Sequence, residues 1–410
     1  MMRFLLLLPV LAAATAAQAQ IRLPSLPGLP LPGVTQTLGQ AEPRALSSSS
    51  DLRLQKIKRL IRENRKLIEA DPNGEPIVRG EILASRVSAG ARAQLQARGF
   101  VVEREQIIAA ADIRLLVLKI PPSMGTHKAL AELRAADPDG LYDYNHIYLG
   151  SSFEGSAEPQ GNVGAAEGAT RPRPRIRVGL IDSGVDVTHP AFDESAVYAW
   201  GCVGTPRPDA HGTAVASLLA VHANAEIYAA DVYCGLPTGG SVDALVAAFS
   251  WLVDERVAVI NVSLVGPKNA MLELVVRSLI ERGYLIIAAV GNDGPAAPPL
   301  YPAAYPDVVG VTGVDTHRRV LLEAERGPQV MFAALGADLR AADLKHGYTA
   351  VRGTSYAVPT VAVLLAASVS TPGRQAALGA IDRLAQSAIH LGAPGRDLTY
   401  GFGLVGDENR

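Results

Sequence analysis

The chain has 410 residues, a net charge of −2 and an isoelectric point near 6.5, and 48% of its residues are hydrophobic. This length allows one large domain and a smaller one, each with a buried core. The balanced charge lacks the basic excess that nucleic-acid-binding proteins show, so no nucleic-acid partner is expected.

The N-terminus has the pattern of a secretory signal peptide, predicted over residues 1–19. Arg3 precedes an apolar run over residues 4–15, and residues 17–19 form a small-x-small cleavage motif. No later segment reaches the roughly 18 apolar residues of a membrane span. We therefore expect an exported protein, periplasmic or secreted, with no membrane span after signal removal. Residues 20–50 are rich in Pro, Leu, Gly and Ser, which is typical of an extended linker.

A smaller domain is predicted over residues 51–149. Apolar residues recur at helical spacing from Leu54 to Ile68 with Lys and Arg between them, and we interpret the basic face as solvated rather than membrane-bound. Residues 77–148 then show the order βαββαβ, which is typical of a small α+β, ferredoxin-like fold. Thr126 is predicted to cap the second of its helices.

Residues 150–174 form a second linker, rich in Gly, Ala, Ser and Pro, and the pattern changes again at residue 175. Over residues 175–410, short apolar runs alternate with helical stretches. Continuous apolar strands of this kind predict an α/β fold, a parallel sheet with helices on both faces. The candidate functional residues lie at strand ends or helix starts, where the active sites of open α/β sheets form.

Four polar side chains at such positions have the composition of an acyl-transfer site. They are Asp182 in IRVGLIDSG, His211 in HGTAVASLLA, Asn292 in IIAAVGNDGP and Ser355 in GTSYAVP. A hydroxyl can attack a carbonyl, an imidazole can take its proton, a carboxylate can orient the ring, and an amide can donate to the oxyanion. Each residue alone also fits a turn or a helix cap. Asp186 and Asp209 are alternative carboxylates, ranked lower because neither directly ends a predicted strand.

The only two cysteines are Cys202 and Cys234. In an oxidising compartment such a pair predicts a disulfide, which would close a loop that contains His211. Two buried free thiols remain an open alternative.

The motifs DSGVD, HGTAVAS, AAVGNDG and GTSYAVP, in this order, resemble the sequence blocks of the subtilisin-like serine proteases over residues 175–410. The order Asp, His, Ser is the one known for subtilisin. The domain before this region resembles the inhibitor-like propeptide of the same family. The resemblance implies a serine endopeptidase made as a zymogen, with Asp182, His211 and Ser355 as the catalytic triad and Asn292 as the oxyanion donor.

The same resemblance implies the partners and cofactors of the chain. Peptides or proteins would be its substrates, and its own propeptide would be an intramolecular inhibitor and chaperone. No cofactor is required. Calcium is often bound in this family, but no dense run of Asp and Asn assigns a site here, and no metal ligands are predicted.

The resemblance also marks a substrate-binding groove. Its expected residues are Ser263, Leu264, Val265 and Gly266 on one wall, Ala289, Val290 and Gly291 on the other, and Leu300 in the block that follows. Val265 and Leu300 stand where many family members have glycine, so we hypothesise a narrowed P1 pocket that prefers small side chains such as alanine. Tyr356, Val358 and Thr360 replace the commoner Met, Ser and His after the serine.

The last propeptide strand is expected to lie in this groove by strand addition, with self-cleavage near Leu149 and Gly150. Two other functions are considered besides hydrolysis. The first is a catalytically silent binding protein, and the presence of all four polar residues argues against it. The second is a ligase or cyclase that transfers the acyl group to an amine.

Overall fold

The computed structural model describes residues 47–150, 175–202, 205–222 and 224–407. The predicted signal peptide and residues 20–46 of the first linker lie outside the described residues, as do residues 151–174 of the second. Among the described helices, none has the length and apolarity needed to cross a membrane.

The first part of the described chain contains an antiparallel sheet. Its elements are α1 (Ser47–Glu63), β1 (Ile68–Ala70), β2 (Pro76–Ser85), α2 (Ala89–Ala97), β3 (Val101–Ile108), a 3₁₀ turn (Ala109–Ala111), β4 (Ile113–Lys119), α3 (Thr126–Ala136) and β5 (Leu141–Gly150). Four strands lie in the order β5-β2-β4-β3, each antiparallel to its neighbours. The predicted βαββαβ order is therefore present from β2 to β5, in a ferredoxin-like arrangement. We call β2 to β5 with their helices the N-terminal unit.

Two local predictions for this region are wrong. Helix α1 begins at Ser47, inside the predicted linker, and ends at Glu63, so Ile68 begins β1 instead of continuing an apolar helix face. Thr126 does not cap α3, because Gly125 holds the cap position. The Thr126 hydroxyl instead accepts a hydrogen bond of 3.1 Å from the Gly80 backbone N–H, so a tertiary contact takes the place of local capping.

The second part of the chain contains a parallel sheet. Its elements are β6 (Arg175–Asp182), a 3₁₀ turn (Pro190–Phe192), β7 (Ala196–Gly201), α4 (Ala210–His222), β8 (Asn224–Asp231), β9 (Gly240–Ser241), α5 (Val242–Asp254), β10 (Val259–Val262), β11 (Leu264–Val265), α6 (Ala270–Glu281), β12 (Leu285–Ala289), β13 (Val309–Val314), β14 (Val330–Leu335), β15 (Leu339–Ala342), β16 (Tyr348–Val351), a 3₁₀ turn (Thr354–Tyr356), α7 (Val358–Ala366) and α8 (Arg374–Ser387).

Seven parallel strands form the main sheet, in the order β14-β13-β12-β10-β6-β8-β7. Residues of α4, α7 and α8 share one apolar core with the strands, and residues of α5 and α6 share another. The sheet is thus covered on both faces, which is why its strands are continuous apolar runs. The predicted α/β fold is confirmed.

The N-terminal unit packs against α5 and α6. Residues 113, 115 and 117 of β4 lie in the core with these helices, whereas residues 116 and 118 face α2 and α3. Asp143 of β5 accepts a 2.7 Å hydrogen bond from the Ala270 N–H at the start of α6. The first N–H groups of a helix have no intrahelical partner, so this carboxylate caps α6 from outside. These contacts hold β5 against the part of the chain that carries the candidate site.

Candidate active site

The four predicted polar residues lie at the carboxyl-terminal edge of the parallel sheet. Asp182 is the last residue of β6, His211 is in the first turn of α4, and Asn292 follows β12. Ser355 lies in the 3₁₀ turn before α7. The rings of His211 and Tyr356 have centroids 5.6 Å apart, so the imidazole lies beside the turn that carries Ser355.

Asp182 and His211 form a direct pair. Asp182 Oδ1 lies 2.7 Å from His211 Nδ1, and the carboxylate is fully buried. The Ser183 N–H donates to the same oxygen at 2.7 Å, which fixes the carboxylate. A Cβ on Gly212 would lie 2.1 Å from the Ser183 carbonyl oxygen, so only glycine lets α4 begin this close to β6. The carboxylate therefore sets both the orientation and the tautomer of the imidazole.

The pKa of His211 is raised above its usual range. Burial disfavours the imidazolium, but the charge and hydrogen bond of Asp182, together with the charge of Asp209, outweigh that cost. His211 Nε2 is buried and has no hydrogen-bond partner among the described residues. With Nδ1 held by Asp182, this second nitrogen is the one available to accept a proton.

Ser355 is fully buried beneath the groove. Its Oγ donates to the Ser263 carbonyl at 3.0 Å, and the Ser263 hydroxyl donates in return to the Ser355 carbonyl at 3.0 Å. Gly353 precedes the turn with φ of 142°, a conformation that other residues rarely adopt. The turn leads directly into α7, so Ser355 lies at the positive end of a helix.

Asn292 is fixed next to the serine turn. Its Oδ1 accepts a hydrogen bond from the Thr354 N–H at 3.2 Å, and the Thr354 hydroxyl accepts one from the Gly291 N–H at 3.3 Å. Two segments far apart in sequence are thereby joined. The bond at Oδ1 sets the orientation of the amide, with Nδ2 as its donor end.

The end of β5 lies in the predicted substrate groove. Leu149 pairs with Val265 and Gly150 with Leu264 in an antiparallel register, and β9 pairs with β5 on its other side. A Cβ on Gly150 would lie 3.3 Å from His211 Nε2, so the strand passes over the imidazole. The Tyr233 hydroxyl accepts a 2.7 Å hydrogen bond from the Gly150 N–H.

The predicted pocket residues do not all face this groove. Leu264 and Val265 pair with β5, and a Cβ on Gly266 would lie 2.8 Å from the Tyr148 ring. Val265, Ala289 and Leu300 share one buried apolar cluster. Val290 instead belongs to the core on the other face of the sheet, because successive strand residues point to opposite faces.

The alternative carboxylates have other contacts. Asp209 accepts hydrogen bonds from the His211 backbone N–H at 3.0 Å and from the Ser183 hydroxyl at 2.7 Å, so it supports the pair without touching the ring nitrogens. Asp186 lies 3.1 Å from His346 Nε2. Sequence reasoning missed Tyr233 and the buried Glu325 beside Leu300, since neither belongs to a recognised motif.

Cys202 and Cys234 form a disulfide that closes the loop containing His211. Asp231 lies between them, and its carboxylate accepts hydrogen bonds from the N–H groups of Arg207 and Cys234 at 2.9 and 2.8 Å. Within the described residues, these two cysteines and Asp231 are the one group with metal-ligand spacing. Bonded sulfurs are not thiolate ligands, so this cluster does not fit a metal ion.

Comparison with known proteins identifies relatives over the second part of the chain. A model of the subtilase family matches residues 174–403. The minor extracellular protease Epr of Bacillus subtilis is 29% identical over 56% of this chain and 37% of its own length. An alkaline protease of Alkalihalobacillus alcalophilus is 30% identical over 57% of this chain and 63% of its own. Subtilisin E of Bacillus subtilis is 28% identical over 68% and 77%. The chain thus spans less than two thirds of the first two relatives.

Solved structures show the same fold. Fervidolysin of Fervidobacterium pennivorans aligns with a TM-score of 0.66 and 18% identity, over 82% of this chain and 61% of its own. A lanthipeptide protease aligns with a TM-score of 0.50 and 24% identity, over 56% and 85%. At these identities the likeness concerns the fold alone. The matching family model covers more than half of the sequence, so the chain belongs to the subtilase family.

Proposed function

We propose that the protein is an exported serine endopeptidase made as a zymogen. The observation that carries this proposal is the 2.7 Å pair of Asp182 and His211 beside Ser355, with the protein's own strand β5 paired along the groove above them. The predicted signal peptide and the disulfide support export, to the periplasm or the medium. Self-shortening of the purified protein, followed on a gel with N-terminal sequencing, tests the proposal; a wild-type chain that stays full length and inactive contradicts it.

In the proposed first step, Ser355 Oγ attacks the carbonyl carbon of the scissile peptide bond. A C–O bond forms, and the hydroxyl proton passes to His211 Nε2. The hydroxyl must turn away from the Ser263 carbonyl, its acceptor in this structure. Asp182, bonded to Nδ1, stabilises the imidazolium that results.

The tetrahedral intermediate then collapses. The C–N bond breaks, the amine leaves with the proton from His211, and the acyl group stays on Ser355 as an ester. Water, deprotonated by His211, attacks this ester and releases the acid. The oxyanion of each tetrahedral stage would accept hydrogen bonds from Asn292 Nδ2 and from the backbone N–H of Ser355.

Replacing Asn292 by alanine is expected to lower kcat by about 10²–10³-fold with little change in KM, because the lost donor acts mainly on the transition state. Steady-state cleavage of a chromogenic peptide measures both constants. Asn224→Ala, an exposed residue at the start of β8, is the matched control and should match the wild type. A change confined to KM would argue against the oxyanion role.

The zymogen proposal is supported by the fit of β5 in the groove. Tyr148 is fully buried, its hydroxyl donates to the Pro267 carbonyl at 2.5 Å, and its ring contacts the backbone of Gly266. Gly150 pairs with Leu264, one residue after Ser263, whose carbonyl touches the Ser355 hydroxyl. A peptide residue opposite Ser263 would therefore present its carbonyl to Ser355. This register favours self-cleavage near Leu149 and Gly150, at the end of β5.

Truncating Tyr148 to alanine is expected to weaken inhibition by the N-terminal unit about 10²–10⁴-fold, because removing a buried aromatic side chain costs roughly 3–5 kcal/mol. The initial rate of peptide cleavage by freshly processed protein, before the N-terminal unit is degraded, would rise accordingly. Tyr148→Phe keeps the ring and loses only the hydrogen bonds of the hydroxyl, to the Pro267 carbonyl and to Tyr305, so it should stay closer to the wild type than Tyr148→Ala. Equal rates for Tyr148→Ala and Tyr148→Phe would rule out this anchoring role.

The small P1 preference expected from Val265 and Leu300 remains a prediction. The structure places the carboxyl group of Glu325 next to Leu300, and this acidic group favours a different P1 preference.

A further inference from the structure

Glu325 is a fully buried carboxyl group beside the predicted pocket wall. Its N–H donates to the Gly291 carbonyl at 3.1 Å, and its Oε2 accepts from the Leu300 N–H at 3.2 Å. Its Oε1 would lie 2.5 Å from a Cβ on Gly291 and has no hydrogen-bond partner in the described part of the chain. A buried carboxyl oxygen without a donor is costly, so a donor from a bound ligand is the expected complement.

A basic side chain already lies at the edge of this acidic group. Arg53 of α1 places Nε 3.1 Å from Asp293 Oδ2, and its guanidinium also bonds both oxygens of Glu75 at 2.7 and 2.8 Å. Asp293 directly follows the oxyanion residue Asn292. The Arg53 guanidinium thus contacts two carboxyl groups, with its bidentate bond to Glu75, and the charge of Glu325 also acts on it. Within the described part of the chain, the recorded charges of this cluster are three carboxyl groups and one guanidinium, an excess of acid.

The protonation equilibria agree with this excess of acid. Burial, together with the charge of Asp293, raises the pKa of Glu325 to about 9 despite the opposing effects of Leu300 and Arg53. Burial also raises the pKa of Asp293 to about 6, although Arg53 lowers it. A cation that enters between these carboxyl groups would favour their ionised forms.

The pocket walls set the shape of the side chain that can reach Glu325. Val265 and Leu300 are branched aliphatic residues of one buried cluster, and Gly291 on the opposite wall has no side chain. Branched side chains on these walls would favour a thin, unbranched stem over an aromatic ring. Arginine and lysine combine such a stem with a cation at its end.

We propose that Glu325 and Asp293 form an acidic S1 subsite, and that the enzyme cleaves peptide bonds of other chains after arginine or lysine. Its own cleavage near Leu149 and Gly150 needs no basic residue, because β5 is part of the same chain and is already held in the groove. This inference rests on the proposed peptidase function and names its substrate class. The residue bound opposite Ser263 sends its side chain past Leu300 to Glu325. Val265 and Leu300 still narrow the pocket, and the carboxyl group of Glu325 beyond them favours a long basic side chain over a small one.

The test uses the self-processed protein and peptides acetyl-Tyr-Leu-Gly-Xaa-aminomethylcoumarin, which copy the order Tyr148-Leu149-Gly150 of the occupied groove. Xaa is Arg, Lys, Ala, Phe or Glu. We expect kcat/KM for the Arg and Lys peptides to exceed that for the Ala peptide by about 10²-fold or more. The reason is that an alanine side chain leaves the buried carboxyl group without a cationic partner. The ratio of kcat/KM for the Arg peptide to kcat/KM for the Ala peptide should rise between pH 6 and 9, because the carboxyl groups ionise over this range. The titration of His211 affects both peptides equally, so it cancels in this ratio.

Glu325→Gln should lower kcat/KM for the Arg peptide about 10²-fold and leave the Ala peptide unchanged. Glu281→Gln, an exposed residue of α6, changes the net charge equally and should have no effect. Labelling of Ser355 by a fluorophosphonate confirms that each variant is folded; if Glu325→Gln fails to label, Asp293→Asn takes its place. An Ala or Phe optimum in labelled wild type overturns the basic subsite and leaves the peptidase function standing. No labelling and no cleavage of any peptide overturns both.

Discussion

Replacing Ser355 by alanine is expected to lower kcat for peptide cleavage by about 10⁶-fold, the loss seen when the serine of such a triad is removed. The physical reason is that alanine lacks the attacking hydroxyl, and the neighbouring Thr354 hydroxyl is already held by the Gly291 N–H. The same variant should not cleave itself near Gly150, so it should accumulate at full length. Active-site titration, gel mobility and single-turnover cleavage measure the effect.

Ser368→Ala is the matched control, because Ser368 is exposed just beyond α7 and should process and cleave like the wild type. The residual rate of Ser355→Ala should remain about 10³–10⁴-fold above that in water, owing to the oxyanion donors and substrate binding. If Ser355→Ala still shortens itself at the normal rate, the assignment of the nucleophile is wrong. If the wild type neither shortens nor cleaves, a silent binding protein becomes the better account.

Changing Asp182 to asparagine is expected to lower kcat by about 10⁴-fold, because the amide no longer holds the tautomer in which His211 Nε2 accepts a proton. The pH profile gives a second readout. His211 must be neutral to act as a base, and Asp182 helps to raise its pKa, so the wild-type rate should fall as the pH drops through a midpoint above 6.5. In Asp182→Asn, the negative charge no longer opposes the effect of burial on the pKa of His211. That pKa should therefore fall, and the midpoint of the pH profile should move to lower pH.

Asp186→Asn and Asp209→Asn separate the three candidate carboxylates. Asp186 contacts His346 and should behave like the wild type. Asp209 bonds the His211 backbone and Ser183, so its loss should cost less than that of Asp182. Measurement of kcat over the pH range for the three variants decides the order. A larger loss for Asp209→Asn than for Asp182→Asn would contradict the proposed roles.

The fold was predictable where the pattern is local and repeated. Apolar strands such as residues 176–181, alternating with helices, indicated a parallel sheet with two covered faces, and the βαββαβ order was evident in residues 77–148. The end of α1 was not predictable in this way. Leu67 and Ile68 continue its apolar spacing, but pairing of β1 with β2 removes Ile68 from the helix. A tertiary contact likewise overrode the predicted cap at Thr126.

The residues of the candidate site that belong to short sequence motifs could be predicted, and those outside the motifs could not. Asp182, His211, Asn292 and Ser355 each stand in a short segment whose residue order carries the chemistry. Glu325 stands in LLEAERG, which reads as a polar surface loop, and only the fold buries it beside Gly291. Arg53 belongs to a helix whose basic face the sequence pattern predicts to be solvated. Its contact with Asp293, 240 residues away in the chain, follows from tertiary packing that no local pattern encodes.

Peptide mapping of a fluorophosphonate adduct tests the central claim most directly. The purified wild-type protein is labelled, digested and analysed by mass spectrometry, beside Asp182→Asn and Ser368→Ala. We predict one adduct, on Ser355, formed at the wild-type rate in Ser368→Ala and far more slowly in Asp182→Asn. An adduct on another residue, or an unmodified Ser355 in protein that cleaves peptides, would contradict the proposed mechanism.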